Sequence, residues 1–225
     1  MMKFHLSWTK KIIIIAIVLL VILIAADLFA PWYTDLRKFD ASAIAALETD
    51  MWHAYYDKES FRLFRLLVEM LHDHQGFPYL QASYQAYLAA QAAMVFKKGH
   101  ERKDYELALP YLIKYYDGIK RIGQLNCNLE QVAKAELEWW IIHRERLRYG
   151  EAALVKSVAV ATGSLYGENP EDLMEYAQAR TDAMIIRDDE EAMDNVSNQE
   201  WKQINTKLLY SYQALKRTLN QNESK

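Results

Sequence analysis

Glu136, Trp140 and Arg144 recur at four-residue steps, and His143 follows Glu136 by seven, so all four project from nearly one face of a helix. Val132, Ala133 and Leu147 share that face and should turn it inward. A carboxylate, an imidazole and a guanidinium gathered away from water could hold a small ligand, or leave the carboxylate free for acid–base work. Two other segments carry the same anomaly. Glu48, Trp52, Glu59 and Arg62 run beside the apolar stripe of Ile44, Leu47, Met51 and Ala54, and Arg180 and Arg187 lie on the stripe of Leu173, Ala177 and Met184. A charge on an apolar stripe costs several kcal/mol unless it is paired and hydrogen-bonded. The sequence therefore predicts that Glu48 and Glu136 meet Arg144, Arg180 or Arg187 in the interior, beside Trp52, Trp139, Trp140 and Tyr176. The candidate cluster of Glu48, Glu136, His143, Arg144 and Arg180 reads first as a polar network that fixes helix register, and second as a catalytic or ligand pocket.

Metal chemistry finds thinner support. Glu69 and His72 form the chain's one Glu-x-x-His pair, a spacing that brings two ligands to one helix face, but a di-metal site of that kind needs a second pair and two further glutamates. Asp50 and His53 repeat the spacing, yet His53 and His72 lie about 28 Å apart if one straight helix carries both. Glu69 and His72 are thus weak metal candidates, and no cofactor is predicted. His72-Asp73-His74 suits a helix end, where imidazolium is favoured by the dipole. The acidic run 188–191 lacks the alternating oxygen ligands and glycine of a calcium loop and reads as a solvated linker. No nucleophile elbow, phosphate loop, HExxH helix or dinucleotide fingerprint is present, which leans the reading away from an enzyme. Cys127 is the sole cysteine, so an internal disulfide is excluded.

The elements that must position these residues are helices. Seven glycines and four prolines punctuate 225 residues, and no alternating strand pattern is bounded by turn residues. The sequence predicts an all-α chain of about six helices after an N-terminal span, packed as a bundle or as stacked hairpins. The first runs from Asp40 or Ser42 to about His74, with Gly76 as its stop. A second follows Pro78 to Lys98, with Leu80, Tyr84, Tyr87, Leu88 and Met94 to bury. A third covers 105–122 with a kink or late start at Pro110. Asn128 and Gln131 open a long fourth helix to about Ala161, Asn169-Pro170 opens a fifth to about Arg187, and Ser197 with Glu200 caps a sixth. The stripe of the sixth, Trp201, Ile204, Leu208, Ser211 or Tyr212, Leu215 and Leu219, is the cleanest in the chain. Residues 84–117 are faintly similar to one tetratricopeptide unit, with small residues Ala86, Ala89, Ala90 and Ala93 followed by Tyr105-Glu-Leu-Ala-Leu-Pro. Pro110 departs from that repeat and no second copy follows, so a plain helical hairpin is the expectation.

Ile12 to Ala26 contains no charge and no hydrogen-bonding side chain. Extended to Ala30, it gives roughly 28 Å of helix, about the thickness of a bilayer core. Lys3, Lys10 and Lys11 flank its start, so the N-terminus is expected to be cytoplasmic, with Trp8, Trp32 and Tyr33 at the two interfaces. No small-residue cleavage site follows, which favours a retained anchor over a signal peptide. The expected organisation is a cytoplasmic stub (1–11), a transmembrane signal anchor (12–30), a linker (31–40), an extracytoplasmic all-α domain (41–220) and a flexible tail (221–225). The chain carries a net charge of −3 and its first three lysines precede the apolar run, so the rest is acidic and nothing suggests nucleic acid. The expected partners are the lipid bilayer, through 12–30, and a protein of the cell envelope. The function expected is a membrane-anchored, non-enzymatic interaction or envelope-assembly module; the alternative is a helical-bundle enzyme or small-ligand or cofactor-binding protein built on the buried Glu/His/Arg cluster.

Overall fold

The computed structural model describes residues 8–191 and 196–222, and among them the chain is helical with no strand. The expected tail from residue 223 and the start of the stub, with Lys3, lie outside the described residues. Helix α1 (Trp8–Phe29) is apolar, exposed along its length and long enough to cross a membrane. The others are α2 (Ala41–Tyr56), α3 (Ser60–Glu69), α4 (Tyr79–Lys98), the short α5 (Arg102–Tyr105), α6 (Leu109–Gly123), α7 (Leu129–Arg144), the short α8 (Arg146–Tyr149), α9 (Glu151–Tyr166), α10 (Met174–Glu191) and α11 (Asn198–Asn222).

Several boundaries follow the local chemistry. Asp40 accepts the backbone N–H groups of Ser42 and Ala43 at the start of α2, and Asn128 accepts that of Gln131 at the start of α7. Pro110 sits in the first turn of α6, where its missing donor costs nothing. Ser197 and Glu200 cap each other's backbone N–H groups before α11.

Two expected long helices are broken. The one expected over 40–74 stops at Tyr56, where Lys58 takes a left-handed conformation (φ 62°) and the Glu59 N–H returns to the Ala54 carbonyl. That is the Schellman closure, here without the usual glycine. After α3, Met70–His74 forms a π-turn, so the straight helix assumed between His53 and His72 does not exist. The one expected over 128–161 is broken around Glu145 and at Gly150, whose φ of 82° and ψ of 162° no L-residue adopts cheaply. Conversely, α10 continues through the acidic run to Glu191, so that run is helical rather than a linker.

Each long helix packs on the next, α2 on α3, α3 on α4, α4 on α6, α6 on α7, α7 on α9, α9 on α10 and α10 on α11, and α11 returns onto α2. One core lies among α3, α4, α6 and α7, with Phe77, Leu112, Ile122 and Ile141 at its centre. A second lies among α7, α9, α10 and α11, with Leu154, Leu173 and Leu219. Helix α7 serves both. The buried face of α4 is only partly the expected one: Leu88 is buried as expected, but Ala82, Ala86 and Ala92 face inward with it while Tyr84, Tyr87 and Met94 are exposed. Small residues there let α4 and α6 approach so closely that a Cβ on Gly118 would lie 2.0 Å from Gln85 Nε2.

The segment between α1 and α2 is fastened. The Asp27 carboxylate accepts the Leu80 N–H at 3.1 Å, and its carbonyl accepts Gln81 Nε2 at 2.6 Å, while Arg121 donates to the other end of Gln81. Trp32 Nε1 donates back to the Ala26 carbonyl, the Thr34 N–H donates to the Ile122 carbonyl, and Leu36 is buried in the first core.

Candidate functional site

The structure brings two of the five candidate residues into contact. Glu48, on α2, and Arg180, on α10, form a bidentate ion pair, with Arg180 Nη1 to Glu48 Oε2 at 2.7 Å and Nη2 to Oε1 at 2.5 Å. Their side chains are 5% and 15% exposed, so the pair is almost wholly out of water. Tyr212, on α11, donates its hydroxyl to Glu48 Oε2 and accepts from Arg180 Nη1 at 3.3 Å. Three helices distant in sequence thus meet on one carboxylate. Burial is the largest influence and works against the guanidinium's charge, but the Glu48 carboxylate together with Tyr176 and Tyr212 outweighs it and holds the Arg180 pKa above its ordinary value. Burial, with the same carboxylate, also pushes the Tyr212 phenol well above its ordinary range.

Glu136, on α7, has different company. It accepts Trp140 Nε1 at 3.0 Å, and the phenol of Tyr116, on α6, lies near enough to feel its charge. It is half-buried, and among the described residues no cation stands within ion-pair reach of it. Burial, then the negative field of Glu136, raises the pKa of both Tyr115 and Tyr116. Tyr176 lies between the two carboxylates. Burial raises its phenol, Arg180 and a hydrogen bond with Thr162 pull it down, and Glu48 and Glu136 both push it up. The two sites are therefore parts of one tyrosine-rich interior spanning α6, α7, α9, α10, α2 and α11.

The other candidates lie apart. His143 Nε2 stands 2.9 Å from Asp188 Oδ2, with its ring against Trp139, and does not join Glu136. Arg144 is exposed: it donates to the carbonyls of Phe96 (2.9 Å) and Gly99 (3.2 Å), and its guanidinium lies 4.1 Å from the Phe96 ring centroid. It caps the C-terminus of α4 and faces outward, contrary to the expectation for it, because α7 ends at this residue and the side chain reaches across to the neighbouring helix end. Leu147, expected inside on the same face, is fully exposed beyond the break at Glu145. Arg187 is buried and stacks over the Tyr56 ring at 3.4 Å rather than meeting Glu48 or Glu136.

Glu69 and His72 fall on either side of the change from α-helix to π-turn, which alters the angular step between them. His72 uses Nδ1 on the Phe77 carbonyl at 2.7 Å. Among the described residues, no group of three or more His, Cys, Asp or Glu is placed to hold a metal ion.

Sequence reasoning missed the donors that complete both carboxylate sites. Tyr212 was visible on the stripe of α11 but not as a partner for Glu48, and nothing in the spacing of Tyr115 and Tyr116 singled them out. No protein-family model, curated protein or solved structure matches the chain.

Proposed function

We propose that this is a single-pass membrane protein, with α1 as a retained anchor, its N-terminus in the cytoplasm and residues 41–220 outside it as a helical bundle that docks an envelope protein. The observation that carries the docking role is the outer face of α4. Leu80, Tyr84, Tyr87, Gln91 and Met94 follow alternating four- and three-residue steps, the spacing of a coiled-coil seam, and Tyr84, Tyr87 and Met94 are exposed while the Tyr84 and Tyr87 rings stack. A seam of that period fits a partner helix. The interior supports the same reading, since Glu48, the most buried carboxylate of the candidate cluster, spends both oxygens on Arg180 and Tyr212 and is almost wholly out of water.

The test uses the full-length protein in its own membrane. A C-terminal reporter should be active only outside the cytoplasm. A photocrosslinking residue at Tyr87 should give a discrete adduct that is lost when Tyr84 and Met94 become Glu, with the helical circular dichroism unchanged. A C-terminus inside the cytoplasm, or a crosslink indifferent to those substitutions, contradicts the reading.

A second reading has one observation in its favour. Glu136 retains accessible surface and no cationic partner, so it is the carboxylate at which a small cationic ligand could be held by tyrosines and a tryptophan. It predicts loss of a copurifying small molecule in Glu136→Gln.

A further inference from the structure

We infer that the exposed aromatic residues around the end of α1, namely Phe29, Trp32, Tyr33 and Tyr79, form a collar in the phospholipid headgroup layer, seating the helical domain on the bilayer in a fixed orientation. This rests on the reading that α1 crosses the membrane.

Three observations lead there. First, the domain is not on a loose tether. Asp27 is in the last turn of α1, and its carboxylate binds the backbone N–H of Leu80 in the first turn of α4 while its carbonyl binds Gln81. With Trp32 tied to Ala26, Thr34 to Ile122 and Leu36 in the core, each turn of chain between the span and α2 is held. The first turn of α4 must therefore sit at the depth where α1 leaves the hydrocarbon.

Second, the residues held at that depth are aromatic and uncovered by protein: Phe29, Tyr79, Tyr33 and Trp32 are 81%, 57%, 63% and 44% exposed. Rings with one polar end favour the headgroup layer, which solvates both the hydroxyl or indole N–H and the apolar face. Three such residues, with the wholly apolar Phe29 beside them, would otherwise stand in water.

Third, the carboxylate of Asp27 has a reason to be there. A lone charge at the edge of the hydrocarbon is costly. Here it meets the positive end of a 20-residue helix and a free backbone N–H. The clamp that fixes the domain also makes the acid tolerable at the boundary. Helix α4 then runs away from this point, since Phe96, near its far end, lies about 24 Å along the helix from Leu80; Arg144 reaches that distal end, and the fully exposed Leu147 follows it by three residues.

The test places single nitroxide-labelled cysteines at Leu20, Tyr33, Tyr79 and Leu147 in the full-length protein carrying Cys127→Ala, reconstituted in phosphatidylcholine–phosphatidylglycerol vesicles. Accessibility to oxygen, which partitions into lipid, is compared with accessibility to a water-soluble nickel chelate. The expected order of the oxygen-to-nickel ratio is Leu20 highest, Tyr79 and Tyr33 several-fold above Leu147, and Leu147 fully nickel-accessible. If Leu20 reads as lipid while Tyr33 and Tyr79 match Leu147, the anchor stands and the collar is refuted. If Tyr33 and Tyr79 are shielded from both reagents, a second copy of the chain covers them, which also refutes it. A nickel-accessible Leu20 refutes the anchor itself, and the collar with it.

Discussion

Glu48 and Glu136 both project from apolar helix faces, yet the protein accommodates them by different means. Glu48 is sealed between α2, α10 and α11, where a bidentate arginine cancels its charge and a tyrosine takes a further bond. Glu136 is half-buried on α7 and, among the described residues, has neutral company, the donating Trp140 indole and the nearby Tyr116 phenol. Full burial of a carboxylate demands a counter-charge, because hydrogen bonds from neutral groups do not repay the lost hydration. Partial burial does not, since water still reaches one side. The contrast separates a charge serving architecture from one with capacity to spare. Glu48 ties the first helix of the domain to the last two, whereas Glu136 sits at a seam between neighbours in sequence.

The largest expected effect tests the sealed side. Arg180→Ala strands a buried carboxylate and should cost roughly 3 to 5 kcal/mol, enough to lower the unfolding temperature of the detergent-solubilised full-length protein by many degrees or to prevent folding. Glu136→Ala leaves the Trp140 indole donor unsatisfied and should cost about 1 to 3 kcal/mol, with Glu136→Gln milder because it keeps an acceptor. Equal losses at the two positions would erase the distinction drawn between them.

Alkaline titration sharpens the shared part of the interior. Tyr116, Tyr176 and Tyr212 have folded-state phenol pKa values above the ordinary value near 10, through burial first and then the neighbouring carboxylates. A raised folded-state pKa favours the protonated form. Its contribution to stability is therefore complete below pH 10 and is lost as pH rises beyond it, when the unfolded chain ionises first. The exposed tyrosines, Tyr33, Tyr79, Tyr84 and Tyr87 among them, should ionise first without loss of structure, and the remaining tyrosinate absorbance should then appear in one cooperative step together with loss of helical signal; complete ionisation without unfolding would place the buried phenols in water.

The smallest expected effect is at Arg144. Its carbonyl caps and its stacking on Phe96 are exposed, so Arg144→Ala should cost about 1 kcal/mol or less. Glu145→Ala, which breaks only a surface pair with Arg148, should cost less still.

These residues also show what was legible in the sequence. That Glu48 would meet an arginine was readable, because it ran beside an apolar stripe and Arg180 and Arg187 stood on another, and unlike charges in one interior must find each other; the spacing did not choose among Arg144, Arg180 and Arg187. Arg144 was not, because spacing gives a direction around the helix axis but not where the helix ends. At the last residue of α7 a long side chain leaves its own face for the carbonyls of α4. The face of α4 was misjudged in part: size ranked Tyr84 and Tyr87 as core, while the side turned inward carries Ala82, Ala86, Ala92 and Gln85, whose amide fills the space left by Gly118 on α6. The break at Gly150 carried a signal in its residue type. The break at Lys58 carried none, since a lysine rarely enters the left-handed region and its residue type does not announce one. The Asp27 clamp joins residues more than fifty apart and has no local signature at all.

Glu48 and Arg180 act as one closed unit, and a double-mutant cycle measures that directly. Stabilities of the full-length protein carrying Glu48→Ala, Arg180→Ala and both changes give a coupling energy. Removing both charges together should cost less than the sum of the single losses by about 2 kcal/mol or more, because neither mutant charge is then left stranded. A coupling near zero would mean that the two groups do not depend on each other, and that the sealed ion pair does not hold α2 to α10.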